Sequence, residues 1–420
     1  MSTDGRRLRA RVEAEAYVAS VCFKHGPPRL LGVELEWVVH HRDDPRRRLD
    51  PDHLAAALGP HTPVTLRPDS PHLPLPSGSP LTLEPGGQVE ISSLPSPALG
   101  PLVDVVTADH HHLAGLLDQA GLVLGPRALD AHRAPRRVLD TPRYAAMERA
   151  FAPIGPHGVT MMCASAGLQV CLDVGERGDA AARWAAAHRL GPVMVALFAN
   201  SPDLAGAPTG WASARLRTVL GVDPPRSRPV PVTDDPAAAW AHYVLEAPLL
   251  CLRRPGGCWD APTGVTFADW IGGALPGPPT TDDLDYHIST MFPPVRPQGY
   301  LEIRYLDAQD GDAWVVPAAL LVALMADRRT VDAVVDACAP AADRWLDAAR
   351  LGRTDPDLAR VARRVLDLGI PAISGLGLPP GTAADITERL ARLRDATGRA
   401  RAVEPRVGAA DGNATNGRQS

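Results

Sequence analysis

Lysine is almost absent from this 420-residue chain: of its 43 basic residues only Lys24 is not an arginine. A phosphate-binding GxxxxGK[ST] loop is therefore missing, and a lysine Schiff base has only Lys24 to use. Any handling of a nucleotide falls to arginines and metal. The six cysteines form no CxxC pair and no zinc-type spacing, so they read as reduced thiols of a cytoplasmic protein. Long apolar runs are lacking too: Val315 to Ala326 is too short to span a bilayer, and the N-terminus has no apolar leader core. A net charge of -5 leaves no basic footprint for nucleic acid.

What is present is a repeated two-faced pattern. Leu81 to Ser92, LTLEPGGQVEIS, reads as two β-runs around a Pro-Gly-Gly reversal. Thr82 and Glu84 share one side of the first run, and Gln88, Glu90 and Ser92 one side of the second, opposite Leu81, Leu83, Val89 and Ile91. A half-buried hairpin with a solvated face accounts for one such stretch. Three more repeat it. In Leu31 to His40, Glu34 and Glu36 oppose Val33, Leu35 and Trp37. Strand residues two apart rise about 6.5 Å, so these two acids repel unless a cation or solvent relieves them. In Gly167 to Val174, Gln169, Cys171 and Asp173 oppose Leu168, Val170 and Leu172. In YLEIRYLD, Glu302 and Arg304 oppose Leu301, Ile303 and Tyr305.

Between these runs the pattern predicts helices over 8–22, around 53–58, over 101–120, after Thr141-Pro142, over 180–198, across 240–246 and through His287. Residues 210–236 read as a loop and Pro-rich connectors, and Pro317 to about Arg399 as helical with a break at Gly369-Ile370-Pro371. The run His110-His111-His112 sits on a helix, where three consecutive side chains point three ways; it reads as a solvated or mixed face rather than a metal site. Residues 1–400 are expected to be a single domain, and 401–420 a disordered polar tail.

On one antiparallel sheet the four runs make a floor of acids with arginines. Carboxylates clustered without cysteine or histidine at metal spacing favour Mg²⁺ or Mn²⁺, ions that usually hold phosphates. Together GVELEW, EPGGQVEIS, AGLQV, WASAR, FPPVRP and YLEIRYLD, in this order, resemble the glutamate-cysteine ligases of the plant and bacterial type. The likeness spans about residues 14 to 350 and is strongest to the enzymes serving ergothioneine synthesis in high-GC Gram-positive bacteria.

The resemblance implies an α+β fold, in which a curved antiparallel sheet like the catalytic sheet of glutamine synthetase is backed by helices, with a helical C-terminal part. It implies Mg²⁺ (or Mn²⁺) on Glu34, Glu36, Glu84, Glu90 and Glu302. Arg304 and Arg215 would act in catalysis, with Gln169, Arg143, Tyr144, His287 and Arg296 contacting substrate or nucleotide. The implied reaction joins the γ-carboxylate of glutamate to the amine of cysteine with ATP as co-substrate. Two departures bear on substrate preference: Cys171 stands where the family commonly has asparagine, and the SxRxxxW run ends at Val219. Ligation to another amine, a non-catalytic nucleotide- or metal-binding member, and a metal-dependent hydrolase stay open as alternatives.

Overall fold

The computed structural model describes residues 5–254 and 256–397; the expected tail at 401–420 lies outside them. Ten strands form among the described residues: β1 (Leu31–Trp37), β2 (Val39–His41), β3 (Leu81–Leu83), β4 (Val89–Ser92), β5 (Leu122–Leu124), β6 (Gly167–Asp173), β7 (Asp203–Leu204), β8 (Ala207–Pro208), β9 (Val295–Pro297) and β10 (Tyr300–Asp307). Six make one sheet in the order β3-β4-β1-β6-β10-β9, with every neighbouring pair antiparallel. All four alternating runs are thus on one sheet, although about 270 residues separate the first from the last. The acidic strand β1 lies third in that order, so its polar face is flanked on both sides.

Alternation decides which face meets the core. Val33, Leu35, Trp37, Val89, Ile91, Leu168, Val170, Leu301 and Ile303 are buried on the apolar side, each such side chain contributing about 1.5–3 kcal/mol of burial free energy. Three helices precede β5: α1 (Arg11–Cys22), α2 (Pro51–Leu58) and α3 (Leu99–Gln119). They are followed by α4 (Pro142–Phe151), α5 (His157–Ala164) and α6 (Ala180–Phe198). Helix α6 is buried nearly all round, as a helix enclosed in a core must be. It packs against β10 on one side and the C-terminal helices on the other. One continuous apolar core runs from Leu8 to Leu390. No helix of the described residues is long and apolar enough to cross a membrane.

Two local features place the site. The hairpin turn needs both its glycines: Gly87 has φ +86°, and a Cβ on Gly86 would lie 2.2 Å from the Cys163 carbonyl oxygen. In β10 the register slips between Ile303 and Leu306, a bulge that takes Arg304 out of the regular ladder with β6. The single run expected over Leu31 to His40 divides at Val38 into β1 and β2, and β2 pairs with β5 outside the main sheet; β5 and β9, three residues each, were not expected as strands. Residues expected as connectors instead form α7 (Ala214–Val222), because the Ser213 hydroxyl caps it by accepting from the Leu216 amide.

Candidate active site

A cleft of about 280 Å³ opens over the polar face of the sheet. Glu34 and Glu36 reach it from β1, Glu90 from β4 and Glu84 from the hairpin turn. Glu36 lies directly across the ladder from Glu90, and Glu34 across from Gln169. Like charges placed opposite one another destabilise a sheet, so this face is built at a cost in the absence of a cation.

The four acids are held differently. Glu36 accepts from the Gly167 amide at 2.7 Å and from Gln169 Nε2 at 2.9 Å, which locks its carboxylate. Glu90 accepts from the hydroxyls of Thr82 at 2.8 Å and Ser92 at 3.2 Å. No hydrogen bond among the described residues reaches the carboxylates of Glu34 or Glu84. Burial, then the charges of Glu90 and Glu302, push Glu34 up to about 8. Burial and the Glu36 charge push Glu84 up to about 7, and burial with Glu84 and Glu36 pushes Glu90 up to about 8. Carboxylate oxygens that repel one another, with those of Glu34 and Glu84 lacking protein donors among the described residues, fit a hard divalent cation.

Glu302 differs from its four counterparts. It is buried beneath the cleft, with Arg296 Nε at 2.5 Å and Nη2 at 2.9 Å and Arg304 Nη1 at 2.6 Å. Burial opposes its charge, but the two guanidinium groups outweigh that and draw its carboxyl down to about 2. Its carboxylate therefore serves in this structure as the anchor of two arginines rather than as a free ligand. Arg304 also donates to Gln169 Oε1, so one side chain ties β10 to β6 and, through Gln169, to Glu36.

Arg215 is reached from α7, over a gap that only glycine leaves open: a Cβ on Gly167 would stand 2.3 Å from its Nη2. Nη2 donates to the Arg304 carbonyl at 3.2 Å, and Nη1 lies 3.8 Å from Asp307. Nε and Nη1 are buried without a hydrogen-bond partner among the described residues. Buried guanidinium donors left unpaired beside a cleft call for an anion. Arg143 donates to the hydroxyl and carbonyl of Ser289, both at 3.0 Å, and lies over the Tyr286 ring. Tyr144 lines the same end, where Met147, Met161, Met162 and Phe292 form an apolar wall.

His287 is not in the cleft. It is buried on α11 (Thr281–Ile288), a helix that follows α8 (Pro224–Ser227), α9 (Pro236–Glu246) and α10 (Phe267–Ile271). Its Nε2–H donates to the Val244 carbonyl at 2.9 Å, and its ring packs on Phe267. Burial drives its pKa down to about 3, which keeps it neutral. Its place before FPPVR therefore reflects packing, and the expectation that it contacts substrate is corrected. Sequence reasoning also missed Asp307, which accepts from the Asn200 amide and the hydroxyls of Ser201 and Ser213 and so fixes the α7 N-terminus. The signal was present two residues beyond LEIRY.

Residues 30–371, the span that carries every one of these cleft residues, match the family described as glutamate-cysteine ligase family 2 (GCS2). The chain belongs to this family. Among its relatives, the glutamate-cysteine ligase EgtA of Mycolicibacterium smegmatis is 40% identical over 359 residues, covering 83% of this chain and 82% of that protein. EgtA of Mycobacterium tuberculosis is 38% identical over 362 residues, covering 84% and 81%. The chloroplastic glutamate-cysteine ligase of Medicago truncatula is 31% identical over 61% of this chain and 52% of its own. The fold is similar to the crystal structure of a glutamate-cysteine ligase from Francisella tularensis in complex with AMP. That match has 14% identity and a TM-score of 0.52, covering 90% of this chain and 84% of that one. Membership of glutamate-cysteine ligase family 2 makes the chain a member of a ligase family, and its α+β architecture agrees.

Proposed function

We propose that this chain joins the γ-carboxylate of glutamate to the amine of cysteine at the expense of ATP, giving γ-glutamylcysteine for ergothioneine biosynthesis in the cytoplasm. The observation that carries the reading is the convergence of Glu34, Glu36, Glu84 and Glu90 opposite Arg215, Arg296 and Arg304 in one cleft. Residues 1–400 act as one catalytic unit in this reading, supported by the core that continues from Leu8 to Leu390.

Glutamate's γ-carboxylate is a poor electrophile. In the proposed first step its oxygen attacks the terminal phosphorus of ATP and ADP leaves; in the second the cysteine nitrogen attacks the acyl carbon, phosphate departs and the amine sheds a proton. Glu34, Glu36, Glu84 and Glu90 would hold Mg²⁺ (or Mn²⁺), which when bound supplies charge neutralisation for a polyanion approaching a carboxylate. Arg215 would receive an anionic oxygen of phosphate or of a substrate carboxylate, a role supported by its Nε and Nη1, which are buried without a partner among the described residues. Glu302 holds Arg296 and Arg304 rigidly, so their charge needs no reorganisation during the reaction. The apolar wall of Met147, Met161, Met162 and Phe292 limits water that would hydrolyse an acyl phosphate.

The test is coupled ADP release with glutamate, cysteine and ATP, omitting each in turn. Turnover that needs all three supports the reading, and turnover indifferent to glutamate would sink it. A second reading, ligation to another amine, is favoured by Cys171: it lies across the ladder from Gly32 and Glu302 and borders a small pocket of about 160 Å³ with Glu34 and Tyr300. A panel of amines in the same assay separates the two.

A further inference from the structure

We propose that His110, His111 and Asp312 form a transition-metal site, taking Zn²⁺ or Co²⁺, that ties α3 to the turn following β10. Adjacent helical residues point about 100° apart, since a turn holds 3.6 residues. These two nevertheless meet on one carboxylate, because His110 presents its near nitrogen and His111 its far one. His110 Nδ1 lies 3.0 Å from Asp312 Oδ1, and His111 Nε2 lies 2.9 Å from Oδ2. The third histidine, His112, turns away to an edge contact with His61.

One donor atom from each of the three side chains lies within 4.8 Å of the others. Tetrahedral zinc with bonds of about 2.0–2.1 Å keeps its ligands roughly 3.3 Å apart. The two histidine–carboxylate distances are therefore within a few tenths of an ångström of that spacing, and the exposed His111 side chain can turn to bring its nitrogen to the same ion. His110 is already oriented: its ring stacks on Trp37 at 4.9 Å and 18°. His111 and Asp312 border an open groove of about 470 Å³, which leaves room for water at the remaining coordination position. Asp310 adds negative charge beside His110, and Arg389 across the groove is paired with Asp385.

Donor chemistry separates this site from the cleft. Two imidazoles and a carboxylate select zinc-like ions, whereas the all-carboxylate cleft suits Mg²⁺. The consequence is mechanical: Trp37 ends the strand that carries Glu34 and Glu36, so an ion here stiffens the back of β1 from outside the cleft.

The test is Co²⁺ titration of the metal-stripped full-length protein in saturating Mg²⁺, followed by visible absorption and melting temperature. Expected are one equivalent bound with an intense d–d band and a higher melting temperature. His111→Ala, at a side chain 62% exposed, and Asp312→Asn lose the band and at least tenfold in affinity, with unchanged far-UV circular dichroism. A wild-type protein without the band, or variants that keep both band and affinity, would overturn the proposal.

Discussion

Two ends of one sheet face carry the same residue type to opposite ends. At β1 and β4 the glutamates face one another, and burial with mutual repulsion lifts Glu34, Glu84 and Glu90 to about 7–8. At β10 Glu302 lies between two guanidinium groups that hold it near 2. All of them lie on the polar side; the charges packed beside a carboxylate decide whether it is free to bind or already bound, and for Glu302 these are Arg296 across the ladder and Arg304 two residues along.

The contrast is broken most sharply by Glu302→Gln. Removing it leaves the half-buried Arg296 and Arg304 beside a neutral amide; loss of one partner of a fully buried pair costs about 3–5 kcal/mol, and cleft solvent brings this loss toward or below the lower end. Chemical denaturation in the absence of metal should read that loss, whereas Glu34→Gln should leave metal-free stability unchanged or higher. Equal losses from both variants would erase the distinction between the two ends.

The pH dependence of stability sharpens it next. Glu34, Glu84 and Glu90 have folded values raised above the ordinary 4.5, so their contribution is fully present below about 4.5 and is lost as pH rises through about 7–8. Glu302 has the opposite sign: its contribution is present above about 4.5 and lost as pH falls through about 2. Melting temperature without metal should fall between pH 5 and 8, and Mg²⁺ should flatten that fall. A slope that Mg²⁺ leaves unaltered would count against the cleft as its source.

Arg304→Lys should have a smaller effect, on turnover more than on folding. A lysine replaces a planar fork with a point charge and cannot keep both Gln169 and Glu302 aligned. We expect kcat/KM to drop roughly tenfold, about 1.4 kcal/mol, with substrate-saturated stability near wild type. The smallest catalytic effect belongs to His287→Gln: loss of the Val244 contact costs about 1–3 kcal/mol of stability, while KM for glutamate and ATP stays within twofold.

How much of this was legible depends on the range of the signal. The two-residue period of GVELEW and GLQVCLD gave faces correctly, and the Pro-Gly-Gly turn gave the hairpin. That of YLEIRYLD held only as far as Arg304, because the bulge turns Tyr305 to the cleft side and puts Leu306 on the apolar face. Ordered motifs brought Glu34, Glu36, Glu84, Glu90, Gln169, Arg143, Tyr144, Arg215, Arg296 and Arg304 to one cleft. The fate of Glu302 was not readable, since it depends on Arg296, brought across from it by the pairing of β9, and on Arg304, which sits at a bulge. His287 misled because chain order does not reveal burial. His110 and His111 find Asp312 some 200 residues on, a meeting that helical periodicity within α3 does not encode.

The central claim, that the cleft glutamates meet around divalent cations, is tested most directly by Mn²⁺ binding followed through the electron paramagnetic resonance signal of the free ion. Wild-type protein should remove Mn²⁺ saturably, and Glu34→Gln with Glu84→Gln should cut that uptake at least tenfold while His111→Ala leaves it in place. Unchanged Mn²⁺ uptake in the double variant would contradict the account.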